Sequence, residues 1–317
     1  MALEFERPLV ELEERIRALE ATAAKEGLDL SEEIALLKQK FDRLQTEIYE
    51  NLTPWQRVQL ARAPGRPTTL DVLEHAFEDF EELKGDRAFA DDPAIVAGLA
   101  RFRGLEVVVA GQQKGKNTKE NIRRNFGMPH PEGYRKAMRM MDLADRTGRP
   151  FITFIDTPGA YPGVAAEERG QAWVIARSIQ RMARLRVPAV AVILGEGGSG
   201  GALALGVGNR VLILENAWYS VISPESCAAI LWRDAKEAEK AAAALKLTAR
   251  DLLGLGVVDR VIPEPGGGAH RNLEGTIEAI ADALEETLNE LLPLGPEALF
   301  EDRYRRFRRL GAFSEAG

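Results

Sequence analysis

Val187-Pro188-Ala189-Val190-Ala191-Val192-Ile193-Leu194 runs straight into Gly195-Glu196-Gly197-Gly198-Ser199-Gly200-Gly201-Ala202-Leu203-Ala204. The first eight residues are apolar, strand-sized and rich in β-branched side chains, the pattern of a buried strand. The glycine-rich stretch reads as a turn that opens a helix of small residues. Glycine admits backbone angles that other residues avoid and lets a ligand approach the main chain without a Cβ in the way. A helix start leaves amides unpaired and carries a partial positive charge. Strand, glycine turn and helix together make an anion trap built of backbone, and such a unit belongs to an α/β fold.

Outward from the turn, the chain keeps alternating. Strands are expected over 94–102, 105–110, 151–155, 189–194, 211–214, 219–222 and 258–262, with helices over 131–147, 167–185 and 224–232. Alternation of this kind predicts an α/β domain. Before it, Leu70, Leu73, Phe77 and Phe80 lie on one side of an expected helix over 69–83. Pro54 to Pro67, with Pro64-Gly65-Arg66-Pro67 inside it, reads as a break. Further helices are expected near 271–292 and 296–309.

The first fifty residues have another rhythm. Leu9, Leu12, Ile16 and Leu19 recur at steps of three and four, and Ile34, Leu37, Phe41, Leu44 and Ile48 resume the pattern after Gly27. Each set lays a narrow apolar seam along a helix. Ser31, followed by Glu32 and Glu33, suits a helix start. The segment is expected to be an antiparallel helical hairpin, either a brace on the body or an arm for a partner. Three units follow: a hairpin at 1–53, a main domain at 54–295 and a C-terminal helix and tail at 296–317.

Composition narrows the function classes. A hydrophobic share of 45% beside 29% charged residues is ordinary for a globular protein with a sizeable core. The net charge of −7 argues against a general nucleic-acid surface. The apolar runs are far too short to span a bilayer, the N-terminus lacks a secretory pattern, and a cytoplasmic location is expected. One cysteine, Cys227, forms no intrachain disulfide and is expected to pack as a small apolar group. His75, His130 and His270 lie far apart in sequence, so no metal site is expected from this chain alone.

Three anion chemistries compete for the turn. Gly195, Gly197 and Gly200 satisfy a GxGxxG spacing, and Glu215 follows the next strand where a ribose-binding acid would sit. The extra Gly198 and Gly201 and the short helix before Gly206-Val207-Gly208 speak against it. A phosphate loop at Lys114-Gly115-Lys116-Asn117 fails because Ala110 and Asn117 stand where glycine and a hydroxyl residue are needed. The third chemistry is an oxyanion hole formed by the adjacent amides of Gly200 and Gly201, which needs no side chain. No Gly-x-Ser-x-Gly elbow is expected, and no Ser/His/Asp set is evident. A turn that uses glycine only for tight packing is the plain alternative.

Several longer stretches carry a resemblance. They are Phe154-Ile155-Asp156-Thr157-Pro158-Gly159-Ala160-Tyr161-Pro162-Gly163, Ala166-Glu167-Glu168-Arg169-Gly170-Gln171, the glycine turn itself, Tyr219-Ser220-Val221-Ile222-Ser223-Pro224-Glu225, Arg123 to Pro129, and Ile262-Pro263-Glu264-Pro265. Together they resemble the alpha subunits of bacterial acetyl-CoA carboxylase carboxyltransferase, almost from end to end and including the hairpin. The resemblance implies a crotonase-like (ClpP/crotonase) core of ββα units. It implies a complex with a separate beta subunit (α2β2), in which zinc belongs to beta alone.

It further implies a biotin carboxyl carrier protein that presents carboxybiotin made by an ATP-dependent biotin carboxylase. The carboxyl group then passes to acetyl-CoA, giving malonyl-CoA for fatty-acid synthesis. In that setting the Gly200 and Gly201 amides would hold the biotin ureido oxygen, with Gly197, Gly198, Pro158, Gly159 and Ala160 as walls of the biotin site. Substrate and cofactor supply the acid–base groups, so no catalytic histidine is expected. The basic run Lys114, Lys116, Lys119, Arg123 and Arg124 is either a CoA or carrier contact or a solvated loop. Asp156 to Gly159 is expected to shape the site, and Glu167 with Glu168 to be a charged helix start.

Overall fold

The computed structural model describes residues 3–311. Eight strands form one mixed sheet: β1 (Glu78–Glu82), β2 (Ile95–Phe102), β3 (Leu105–Gln112), β4 (Phe151–Thr157), β5 (Ala189–Gly198), β6 (Arg210–Leu214), β7 (Trp218–Ser220) and β8 (Arg260–Ile262). Their order is β1-β2-β3-β4-β5-β6-β8, with β7 on the far end of β5. β1, β2 and β3 pair antiparallel, and every later pairing is parallel. Parallel neighbours need long crossovers. The helices Pro131–Thr147 and Gln171–Ala183 supply them between β3, β4 and β5.

The centre of the sheet is apolar on both faces, because helices cover both. β4 and β5 are buried along their whole lengths. Such strands read as unbroken apolar runs rather than alternation, which is why their sequences announced them. Each continues past its expected end. The glycine segment 195–198 is still strand, pairing with β7 through Glu196, Gly197 and Gly198 while the first half of β5 pairs with β6. β5 thus changes partner midway, and the helix opens only at Ser199.

Two expected helices are corrected. The 69–83 helix stops at Ala76, and Glu78 to Glu82 pair with β2 instead. Phe77 and Phe80 are three apart, a helical spacing; a bulge between Glu78 and Glu81, with Asp79 at φ 52°, lets both meet the core from a strand instead. The 167–185 helix is broken by Gly170, held left-handed at φ 81°, which separates Val164–Glu168 from Gln171–Ala183. The expected break at 54–67 contains a helix, Pro54–Ala61, started by a reciprocal Thr53–Gln56 cap.

The N-terminal hairpin consists of Arg7–Glu26 and Ser31–Glu50, joined through Gly27 in the left-handed region that a helix end favours. Ser31 is the first helical residue rather than a side-chain cap; its N–H donates to Asp29 Oδ1 at 3.2 Å. The hairpin meets the body at a few polar points. Glu6 is bonded by Tyr49 and by His270 Nε2, the latter at 2.8 Å, and Arg271 pairs with Glu13 at 3.1 Å. Elsewhere a buried pair, Arg66 with both carboxylate oxygens of Glu264 at 2.8 Å, ties the loop between the helices Pro54–Ala61 and Thr69–Ala76 to the segment just after β8. No described helix is long and apolar enough to cross a membrane.

Candidate functional site

The parallel strands β4 and β5 end side by side, and their following turns meet there. Pro158, Gly159 and Ala160 pack directly on the glycine turn. A Cβ on Gly198 would lie 2.1 Å from the Pro158 carbonyl oxygen, and one on Gly201 would lie 2.4 Å from Ala160 N. Gly197 faces Tyr219 and the Trp218 carbonyl just as closely, at 2.8 and 2.9 Å. Gly197, Gly198 and Gly201 are therefore packing glycines. Gly200 has room, with its nearest neighbour Ile175 Cγ2 at 3.4 Å.

Between Gly198 and Gly200, Ser199 takes a left-handed φ of 54°. A residue with a side chain rarely does so outside strained turns. Gly197-Gly198-Ser199-Gly200-Gly201 also has Gly-x-Ser-x-Gly spacing at a strand-to-helix turn, a match that reading the sequence for triads passed over. Ser199 makes no side-chain hydrogen bond among the described residues. A nucleophilic serine needs a base within reach.

The N–H groups of Gly200 and Gly201 have no acceptor among the described residues. Beside them opens a cavity of about 560 Å³, lined by Ser199, Gly200, Leu203, Gly206, Tyr219 and Ser220 on one side. Leu252, Val257, Arg306 and Phe307 are among those that close the other. Burial pushes the Tyr219 hydroxyl up to about 12, with Arg306 opposing, so it stays neutral. Gly197, Gly198, Gly201 and Pro158 to Ala160 support the turn from behind and do not line this cavity. Such a space, mostly apolar with a few polar groups among its lining residues, is ordinary for a small-molecule site.

Below the turn lies a charge cluster. Lys114 Nζ is 2.7 Å from Asp156 Oδ1 and 2.8 Å from Glu196 Oε2, while Arg62 Nε is 2.6 Å from Glu196 Oε1 and its other nitrogens reach Glu225. Burial opposes every charge here. The two carboxylates nevertheless hold the Lys114 ammonium above its usual range, and Lys114 with Arg62 hold the Glu196 carboxyl below its own. The cluster stays ionised and fixes the two strand ends to each other.

This answers the basic run. Lys114 belongs to the cluster, Lys116 pairs with Asp71, and Arg124 donates to the Pro93 carbonyl at 2.9 Å. The run is not a continuous free patch. Arg62, Gln112 and Tyr134 around the turn were missed by sequence reading. One clue was present: Glu196 is a lone charge inside a buried glycine strand, and such a charge requires partners. Cys227 is buried beside Ala228 and Ala241. No group of three or more metal-ligating side chains gathers among the described residues.

Comparison with known proteins adds a family. A family model described as acetyl co-enzyme A carboxylase carboxyltransferase-like matches residues 2–311. The chain is 74% identical to a Thermus thermophilus protein over 315 residues, covering 99% of this chain and 100% of that protein. A relative from Anoxybacillus flavithermus is 58% identical over 99% of this chain and 97% of its own length. Both are named acetyl-coenzyme A carboxylase carboxyl transferase subunit alpha. Among solved structures, transcarboxylase 12S with methylmalonyl-coenzyme A and methylmalonic acid bound superposes with a TM-score of 0.57 at 21% identity. The match covers 72% of this chain and 42% of that one. The likeness identifies a crotonase-type fold.

Proposed function

The chain belongs to the family of acetyl-CoA carboxylase carboxyltransferase alpha subunits, and from that premise we propose that its Gly200 and Gly201 amides hold the ureido oxygen of biotin during carboxyl transfer. The family activity is that of a transferase in biotin-dependent carboxylation by a multi-subunit enzyme. One observation carries the finer reading: two adjacent N–H groups without acceptors among the described residues stand at a helix start, and Gly200 lines a cavity of about 560 Å³. That space accommodates a bicyclic urea.

Bound carboxybiotin supplies the carboxyl group and, once relieved of it, a basic ring nitrogen. The chain's own part is electrostatic. Amides already aimed at a position where negative charge develops need no reorganisation as it appears. Apolar side chains such as Leu252, Val257 and Phe307 lower the polarity around the cavity, which strengthens those bonds. Pro158, Gly159 and Ala160 support the turn from behind, and Gly197 and Gly198 let it lie flat against them. In this reading the acetyl-CoA is positioned largely by a separate beta subunit, which also carries the zinc. A biotin carboxyl carrier protein delivers the cofactor from an ATP-dependent biotin carboxylase. The product is malonyl-CoA, the location is the cytoplasm, and the assembly is α2β2. Within the chain, the hairpin expected at 1–53 acts as a unit apart from the domain 54–295, with a closing helix from Pro296; the tail expected at 312–317 lies outside the described residues.

The test removes a single hydrogen. Replacing the Gly200 amide by an ester, through incorporation of glycolic acid, deletes the N–H and keeps the chain's shape. In a complex reconstituted with the beta subunit, malonyl-CoA formation is expected to fall by about 100- to 1000-fold. Full activity in an intact complex would end the oxyanion reading. Turnover of acyl-CoA by this chain alone would favour a self-contained hydratase or hydrolase instead.

A further inference from the structure

Gln112 is the last residue of β3 and wholly buried, and its side chain reaches the end of β4 and the turn that follows β5. Its Nε2 donates to the Gly201 carbonyl at 3.0 Å, and its Oε1 accepts the Asp156 N–H at 3.2 Å. Asp156 Oδ1 in turn accepts the Glu196 N–H at 2.9 Å. Tyr134, also wholly buried, donates its hydroxyl to the same Gly201 carbonyl at 3.3 Å. One amide side chain thus ties the ends of β3, β4 and β5 together at the glycine turn.

Why a turn would need this follows from its composition. Five of the seven residues 195–201 are glycine. Glycine has the most conformational freedom to lose, so such a turn has little rigidity of its own. Donors aid a reaction only if they are already aimed. The Gly201 carbonyl is the point at which outside side chains grip the turn next to the two unpaired amides. We infer that Gln112, assisted by Tyr134, is a positioning residue for carboxyl transfer, holding the Gly200 and Gly201 amides in their aimed state. This rests on the oxyanion reading above.

The experiment uses the complex with the beta subunit and measures kcat and KM for acetyl-CoA and for biocytin. Gln112→Leu keeps the bulk and removes both bonds. Misplacing reactive groups by about 1 Å costs on the order of 100-fold, so kcat is expected to fall roughly 10- to 100-fold with KM for acetyl-CoA unchanged. Gln112→Glu gives a signature that packing alone would not. Its carboxylate still accepts from Asp156 N–H but opposes the Gly201 carbonyl; protonated, it can donate again. Its kcat relative to wild type should therefore rise as pH falls. The groups facing this position, Tyr134 from its helix, Asp156 from β4 and, through Asp156, Lys114 and Glu196, are the same in both proteins. Tyr134→Phe, losing the longer bond, is expected to cost only a few-fold.

Wild-type kcat in an assembled Gln112→Leu complex would overturn the inference. So would loss that tracks failed assembly, joined to a Gln112→Glu variant equally impaired at every pH. The Gly200 ester separates the two ideas. If the ester is inactive and Gln112→Leu is not, only the positioning role falls; if the ester is fully active, the oxyanion reading falls and takes this inference with it.

Discussion

The glycine turn and the N-terminal hairpin solve opposite problems. At Gly198 and Gly201 the neighbouring backbone leaves no room for one more carbon. In the hairpin, the first helix buries only Leu9 and Ile16, and the second buries nothing fully. The turn is specified by what cannot be added to it. The hairpin is specified by a periodic seam and a few polar anchors, and most of its surface is free to vary. Tight backbone packing suits a region proposed to hold two amides still; a lightly anchored pair of helices suits one that braces or reaches.

The largest expected effect tests the tight end. Gly198→Ala and Gly201→Ala each drive a Cβ into backbone, at 2.1 Å from the Pro158 oxygen and 2.4 Å from Ala160 N. Backbone cannot swing away as a flexible side chain can. Malonyl-CoA formation by the complex is expected to drop by about 100-fold or more, with a lowered melting temperature. Unchanged values would mean that the turn is looser than its contacts imply.

Next comes a control for burial without function. Glu264, wholly enclosed, accepts from Arg66, from Asn216 through both its backbone and side-chain nitrogens, and from Ala269 N. Burial opposes its charge, yet Arg66 and these donors hold its carboxyl down to about 2. Glu264→Gln strands the Arg66 charge and is expected to cost about 3–5 kcal/mol in denaturant unfolding. The sign of the pH dependence is fixed: a depressed carboxyl contributes fully above its unfolded value of 4.5 and loses that contribution as pH falls toward about 2. The stability gap between wild type and variant should therefore narrow over that window. A gap that stays constant would show that packing, not charge, sets the loss.

The smallest effect is at the hairpin. Glu6→Gln weakens the bonds to Tyr49 and His270. Hydrogen exchange in residues 7–50 is expected to quicken by about 10-fold, while residues 189–203 keep their protection. If both regions quickened together, the hairpin and the turn would be one cooperative unit and the contrast would fail.

Much of this was legible in the sequence, for stated reasons. Strands buried on two faces leave continuous apolar runs, so β4 and β5 showed themselves, and the hairpin seams did the same by their period. The strand at Glu78 to Glu82 did not, because its evidence is the partner β2 and not its own pattern. The turn was visible as glycine, but not its supports. Gln112 lies 89 residues from Gly201, and a glutamine ending an apolar strand has no local mark that names its partner. Lys114 looked like part of a basic surface because charge in a string carries no depth. Only the fold turns it inward to Asp156 and Glu196.

The outermost strand deserves its own consequence. β1 is an edge of the sheet, and Glu78, Asp79, Glu81 and Glu82 make four of its five residues acidic. An open strand edge invites another chain to zip on. Here a second copy attempting it would bring carboxylates against carboxylates, so crowding in a concentrated solution meets repulsion where ladder growth would begin. Asp79 is paired with Arg101 and Glu82 with Lys84, so Glu78 and Glu81 supply most of that repulsion along the rim.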